Sequence, residues 1–170
     1  MGLTSRNVRI AGLGIALAGV VLVVGAVLPA IYPDTLVELV LRPAFRGCHQ
    51  LADRSPHLEG HAFALCHRCF GIVAGVALGG LLAVLGLKID PSRRWSWVAA
   101  ASPIAVHVAL RWIVPATDLA WLRVATGLVF GTFAGAAVAV ALAHVHPPTP
   151  PSGGRVGRNV RGLAPRETSS

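Results

Sequence analysis

Charged side chains are scarce in this sequence of 170 residues. Asp, Glu, Lys and Arg together make up 13% of it, whereas 54% of the residues are hydrophobic. Because a soluble domain carries about a quarter charged residues, this composition excludes an ordinary soluble globular protein. Acidic residues are the scarcer charges, seven against fifteen Lys and Arg, which gives a net charge of +8. The composition therefore predicts a basic membrane protein.

Signatures of familiar enzyme classes are missing as well. The sequence has no H-E-x-x-H motif of zinc proteases, no P-loop and no G-x-S-x-G nucleophile elbow. No reaction follows from a catalytic motif, and whether the protein is an enzyme stays open at this point. The function has to be argued from clusters of reactive side chains instead.

Four apolar runs reach the roughly 20 residues that a membrane-spanning helix needs. They cover residues 10–31, 63–87, 95–114 and 119–145. The sequence therefore predicts an all-α integral membrane protein with a four-helix membrane domain over residues 10–145. A cleaved signal peptide is the alternative for the first run, but the apolar core of such signals is about 7–15 residues long and this run is longer.

A short amphipathic segment stands in the predicted outer loop, residues 32–62. Thr35 and Glu38 have the spacing of a capping box, in which the two residues cap each other at the start of a helix. Pro43 is expected to end the apolar stretch that follows. We therefore predict a short interfacial helix over residues 34–42.

The basic residues of the loops and termini are distributed unevenly across the predicted membrane. Nine lie on one side, in the N-terminus (residues 1–9), the second loop (residues 88–94) and the tail (residues 146–170), and three lie in the opposite loop. The positive-inside rule then places both termini in the cytoplasm, in the cytoplasmic membrane of a prokaryote. The tail, rich in Pro, Gly, Ser and Arg, is predicted to be disordered. Because this asymmetry explains the net charge, we expect the lipid bilayer and no nucleic acid as a partner.

Two of the predicted helices carry glycine at every fourth position. The glycines are Gly71, Gly75 and Gly79 in the second helix and Gly127, Gly131 and Gly135 in the fourth. Such ladders allow helix backbones to approach closely in lipid. We interpret them as packing surfaces, which are able to face each other.

All three cysteines lie in or next to the outer loop. They form a Cys-His-Gln triplet at residues 48–50 and a Cys-His-Arg-Cys quartet at residues 66–69. Thiolate sulfur and imidazole nitrogen are ligands that suit zinc, and also copper or iron. We predict a site for zinc or another divalent transition metal, with Cys48, Cys66, Cys69, His49 and His107 as the candidate ligands. A disulfide and inert packing of the thiols are the alternatives.

Four arginines are predicted to reach the same depth as the cysteines. Arg54 lies in the outer loop, and Arg68, Arg111 and Arg123 lie near the outer ends of three helices. An unpaired charge in lipid is costly, and a guanidinium group binds carboxylate or phosphate well. We predict that these arginines bind an anionic small molecule or a lipid head group; snorkelling to the interface is the alternative. His107, one turn before Arg111, is the candidate catalytic base if it is not a ligand.

These motifs resemble domain-of-unknown-function family 2085, a set of small predicted multi-helix membrane proteins. The resemblance rests on the Cys-His-Gln triplet, on Arg54-Ser55, on Cys-x-Arg-Cys-x-Gly at residues 66–71 and on Arg-x-x-Thr-Gly at residues 123–127. It covers roughly residues 44–136. The resemblance implies a polytopic membrane protein and carries no established activity.

Three classes of function stay open from the sequence. In the first, the metal site supports membrane enzyme chemistry on an anionic substrate. In the second, the same pocket is the entry site of a transporter or binding protein for a small anion or metal, and a chain of four helices would then have to form a homo-oligomer. In the third, the cysteines exchange electrons with a quinone or a protein partner.

Overall fold

Four long helices and one short helix make up the bulk of the structure, a computed structural model that describes residues 5–87, 93–114 and 119–145. The helices are α1 (Ser5–Ile31), α2 (Leu36–Ala44), α3 (His67–Val84), α4 (Arg94–Ile113) and α5 (Ala120–Val145). All but α2 are long and apolar enough to cross a membrane. The predicted all-α membrane fold is therefore confirmed, while the tail at residues 146–170 lies outside the described residues.

The glycine ladders of α3 and α5 pack against each other. A Cβ atom added at Gly75 would lie 2.8 Å from the backbone nitrogen of Thr132 and 2.9 Å from the Cα atom of Gly131. A Cβ atom at Gly135 would lie 2.9 Å from the Cα atom of Val76. No side chain fits in such spaces, so the backbones themselves are in contact and the predicted role of the ladders as packing surfaces is confirmed.

A second face of α3 packs against α1 by the same means. A Cβ atom at Gly19 would lie 2.7 Å from the Cβ atom of Ala77, and one at Gly12 would lie 2.7 Å from the carbonyl oxygen of Gly80. Together α1, α3 and α5 form a close three-helix core built from small residues, as helices in lipid favour.

Helix α4 lies at the edge of this core and packs mainly against α5. Trp97 and Phe133 meet edge to face, with ring centroids 4.7 Å apart and an interplanar angle of 85°. The buried residues of α4 are Ala100 and His107. His107 is thus the buried polar side chain of α4, whose other side chains, apart from Ala100, are exposed or partly exposed.

The loop before α3 contains more structure than the sequence predicted. After a 3₁₀ turn at Ala52–Arg54, strands β1 (His57–Leu58) and β2 (His61–Ala62) form an antiparallel hairpin. Its two-residue turn has positive φ at Glu59 (51°) and at Gly60 (88°), which is the backbone of a type I′ turn. His57 and His61 lie exposed on this hairpin.

The chain then crosses the last part of α1 in an irregular, non-helical conformation. The N–H of Ala64 donates to the carbonyl of Ala26 at 3.0 Å, and the N–H of Phe63 donates to that of Pro56 at 2.8 Å. Because residues 63–66 make these contacts, α3 begins at His67 and not at residue 63. It ends at Val84 and not at residue 87, since Gly86 has a φ of 83°.

The interfacial helix is displaced from its predicted position, residues 34–42. Helix α2 starts two residues later and contains Pro43 in its last turn. The predicted capping box is wrong, because the Thr35 hydroxyl donates to the carbonyl of Tyr32 at 2.7 Å. Glu38 instead accepts a hydrogen bond from the N–H of Asp34 at 2.9 Å, and this bond holds the pKa of Glu38 below its usual value.

Candidate metal centre and arginine cavity

Three helices and the loop meet at one cavity of about 290 Å³. It is lined by His49, Leu51, Arg54, Cys66, Arg68, Cys69, Arg111 and Arg123. The structure therefore brings all four predicted anion-binding arginines to one place. No Asp or Glu of residues 5–87, 93–114 and 119–145 lines this cavity, so its wall is strongly positive.

A larger groove of about 680 Å³ runs along α2 on the same loop. Two of its charged side chains form an ion pair, since Arg42 Nη2 lies 2.8 Å from the Glu38 carboxylate. It contains no cysteine or histidine. The smaller cavity is therefore the one that carries reactive side chains.

The three cysteine sulfurs form a compact cluster at the edge of the arginine cavity. Their Sγ atoms all lie within 4.8 Å of one another, and all three side chains are free thiols. Cys66 immediately precedes the first residue of α3 and Cys69 lies in its first turn, so both face the same side. Cys48 comes from the loop and is 7% exposed. We call these three residues the sulfur cluster.

A network of loop hydrogen bonds holds Cys48 in place. The N–H of Cys66 donates to the sulfur of Cys48 at 3.3 Å. Gln50, with a φ of 49°, turns the chain and donates from Nε2 to the carbonyl of Arg42 at 2.8 Å. We did not predict that Gln50 links the loop to α2. The sequence signal for this role is the position of Gln50 in the Cys-His-Gln triplet.

Two further residues fix the Arg54 segment against the start of α3. The ring of His67 donates from Nδ1 to the carbonyl of Arg54 at 2.6 Å. Ser55, 2% exposed, donates to the carbonyl of Leu51 at 3.0 Å. We did not predict this positioning role for His67 or Ser55, although His67 belongs to the Cys-His-Arg-Cys quartet and Ser55 follows Arg54 in the family motif.

The environment of Cys66 favours its thiolate form. The Cys69 thiol donates a hydrogen bond toward its sulfur and lowers the pKa of Cys66 well below the ordinary value, against the opposing effect of burial. The Cys48 thiol acts in the same direction. A thiolate at this position is the form that binds metals and attacks electrophiles.

The two histidines predicted as metal ligands lie outside the sulfur cluster. His49 is exposed and lines the cavity. His107 is buried on α4, where the Nη2 group of Arg68 donates to its Nδ1 atom at 3.2 Å. Because a guanidinium group has no acceptor, this bond uses the lone pair of Nδ1, and the neutral ring carries its proton on Nε2. In this geometry His107 has no lone pair left for a metal or for proton abstraction.

Comparison with known proteins gives a family and a relative. The family described as predicted membrane protein (DUF2085) matches residues 48–137, slightly more than half of the chain. The uncharacterized protein MJ1492 of Methanocaldococcus jannaschii is 34% identical over 87 residues, which are 49% of this chain and 56% of that protein. The chain thus matches little more than half of the length of this relative. No solved structure matches the chain.

Proposed function

The chain belongs to the predicted membrane protein family DUF2085, and we propose that it is a membrane metal-centre protein. In this proposal Cys48, Cys66 and Cys69 bind a zinc-type divalent ion. The arginine cavity beside them holds an anionic substrate. The site lies at the outer face of a prokaryotic cytoplasmic membrane, and both termini are cytoplasmic.

The observation that carries the proposal is the approach of the three sulfurs. At a Zn–S distance of about 2.3 Å, a tetrahedral ion separates its ligand sulfurs by about 3.8 Å. The present separations of at most 4.8 Å therefore need only a small contraction. Three cysteines delivered by a loop and by one helix N-terminus supply ligands without any change of the bundle.

The number of ligands points to an open coordination position. Zinc sites with three protein ligands keep a fourth position for water or substrate, whereas purely structural sites are closed by four. Cys66 and Cys69 line the arginine cavity, so this position is next to the anion site. His49 lines the same cavity and is the candidate for a fourth protein ligand. A bound ion would act as a Lewis acid toward an oxygen of the substrate.

The charges around the site agree with this assignment. A divalent ion bound by three thiolates leaves one net negative charge, and guanidinium groups line the cavity next to it. A guanidinium group attracts an anion, and removal from water strengthens that attraction. A metal ion and an anion are therefore able to bind at neighbouring positions at the same time.

Thiol redox chemistry is the second candidate, favoured by the presence of three free thiols within 4.8 Å. In that case two thiols would join as a disulfide and pass two electrons and two protons to an acceptor such as a quinone. The two candidates differ in the state of reduced protein. The reduced metal centre contains an ion, whereas the reduced thiol-redox protein contains three alkylatable thiols and no ion.

Elemental analysis of full-length protein, purified in mild detergent under reducing conditions, tests the proposal. We expect one zinc-type ion per chain in the wild type and its loss in Cys66→Ser. His57→Ala is the matched control, because His57 is an exposed potential ligand on the hairpin outside the cavity. Wild-type protein without stoichiometric metal, but with a disulfide that forms on mild oxidation, would support the redox candidate instead.

A further inference from the structure

The hydrogen bond from Arg68 to His107 bridges α3 and α4 beside the arginine cavity. Arg68 lines the cavity, and His107 behind it is 2% exposed. As shown above, Nδ1 of His107 accepts this bond and Nε2 carries the proton. Both residues therefore have a further N–H group that is not used in the contact between them.

These two N–H groups are buried without an acceptor. Arg68 Nε and His107 Nε2 have no hydrogen-bond partner within residues 5–87, 93–114 and 119–145. A buried donor without a partner destabilises the folded state, so such groups in folded proteins usually have a ligand or water as acceptor. No carboxylate of the described residues lines the cavity beside them.

We infer that this pair is the inner end of a binding site for a phosphate group. The inference deepens the anion half of the proposed function and does not depend on the metal. Arginines reach the cavity from four directions, since Arg54 comes from the loop, Arg68 from α3, Arg111 from α4 and Arg123 from α5. A tetrahedral phosphate offers acceptor oxygens in several directions, whereas a planar carboxylate offers two in one plane. Phosphate also carries the larger negative charge.

The phosphate group has two possible sources, a soluble phosphate and the head group of an anionic lipid. The cavity is at the level of Trp112 and Trp121, which are adjacent or close in sequence to Arg111 and Arg123 and are 84% and 64% exposed. Exposed tryptophans at helix ends mark the head-group level of a bilayer. A lipid phosphate at that level would lie at the height of the arginines, and soluble phosphate would enter from the aqueous side.

The test measures the binding of inorganic phosphate to full-length protein by calorimetry. The protein is in mild detergent and has been treated with a chelator. We expect inorganic phosphate to bind, and acetate at the same ionic strength to bind much more weakly. Arg68→Lys retains the charge but loses the Nε–H group, and His107→Met removes the Nε2–H group at similar volume. Each should weaken phosphate binding by about tenfold or more. Arg46→Lys, at an exposed arginine outside the cavity, is the control and should bind as the wild type does.

Several outcomes would overturn the inference. Acetate bound as tightly as phosphate would contradict the substrate class, and unchanged binding in folded Arg68→Lys would contradict the site. Phosphate binding that requires added zinc would assign the anion to the metal and not to this pair. If neither variant folds, phosphorus NMR of the wild type still decides whether phosphate binds at all. A failure here leaves the metal content unaffected, so it is distinguishable from failure of the metal proposal.

A second arm assigns the source of the phosphate. The wild type is placed in nanodiscs of phosphatidylcholine with or without phosphatidic acid, and binding of inorganic phosphate is measured in both. Competition by phosphatidic acid would assign the site to a lipid head group. Equal binding in both discs would assign it to soluble phosphate.

Discussion

The backbone N–H of Cys66 donates to the sulfur of Cys48, which lies 18 residues earlier in the chain, at a distance of 3.3 Å. This bond joins the loop thiol to the N-terminus of α3, where the other two thiols lie. It explains how a residue outside the helices becomes part of the sulfur cluster. Cys48 therefore has two separate roles, one as the acceptor for this N–H group and one as a proposed metal ligand.

The two roles of Cys48 predict different effects for two substitutions. Cys48→Ser retains an acceptor for the Cys66 N–H group but is a poor zinc ligand, whereas Cys48→Ala loses both functions. We expect zinc binding, measured by competition with a chelator, to weaken in both variants. Thermal unfolding without metal should show Cys48→Ala destabilised by about 1 kcal/mol, the usual contribution of a hydrogen bond, and Cys48→Ser less so. Wild-type zinc affinity in Cys48→Ser would contradict the ligand role.

The contact between α3 and α5 predicts a position-specific effect of added methyl groups. In Gly75→Ala the new Cβ atom would lie 2.8 Å from the backbone nitrogen of Thr132, so the helices must separate. We expect a destabilisation of about 1–3 kcal/mol in detergent unfolding experiments. Gly14→Ala is the control, because among the described residues no atom of another helix or loop lies within 4 Å of its added Cβ atom. The control should be neutral or stabilised by up to about 1 kcal/mol, and equal losses in both variants would contradict the packing account.

The long helices and their glycine packing surfaces were predictable from the sequence, whereas the loop before α3 was not. Apolar runs and four-residue glycine repeats depend on the local sequence alone, so they located four helices and the packing surfaces of α3 and α5. The hairpin was missed, because Glu59-Gly60 stands between strands of two residues each, which are too short to show alternation. The start of α3 was placed four residues too early, because the bond from Ala64 to Ala26 in α1 holds an apolar segment outside the helix.

The level of the site along the helix bundle was predictable from the sequence, but the contacts between its side chains were not. Topology and helix length brought the three cysteines and four arginines to one end of the bundle, and the structure places them together. Which groups pair depends on the rotation of each helix about its axis, and a single sequence does not fix that. His107 was therefore expected near the sulfurs, whereas the rotation of α4 directs it to Arg68.

The lowered pKa of Cys66 predicts its reactivity in metal-free protein. Below the ordinary value of 9.0 most thiols are protonated and slow, but a depressed pKa leaves the thiolate present at lower pH. We expect alkylation of Cys66 by iodoacetamide, followed by mass spectrometry, to have its pH midpoint well below 9.0. In Cys69→Ala the midpoint should rise, because the Cys69 thiol is the main cause of the shift. The same midpoint in both proteins would show that Cys69 has no such effect.

The proposed orientation predicts the side of the membrane from which each end can be labelled. In a variant with its three cysteines replaced by serine, a cysteine at His57 should react with an impermeant maleimide in intact cells. A cysteine at Ser152 should react only after the cells are made permeable. Labelling of the Ser152 position from outside would reverse the orientation and place the site in the cytoplasm.

X-ray absorption at the zinc edge of zinc-loaded, reduced protein tests the central claim most directly, since it counts the atoms bound to the ion. We expect three sulfur neighbours at about 2.3 Å and one nitrogen or oxygen neighbour at about 2.0–2.1 Å. Loss of one sulfur neighbour in Cys48→Ser would assign the loop thiol to the ion. A first shell of nitrogen and oxygen alone would contradict the metal centre proposed here.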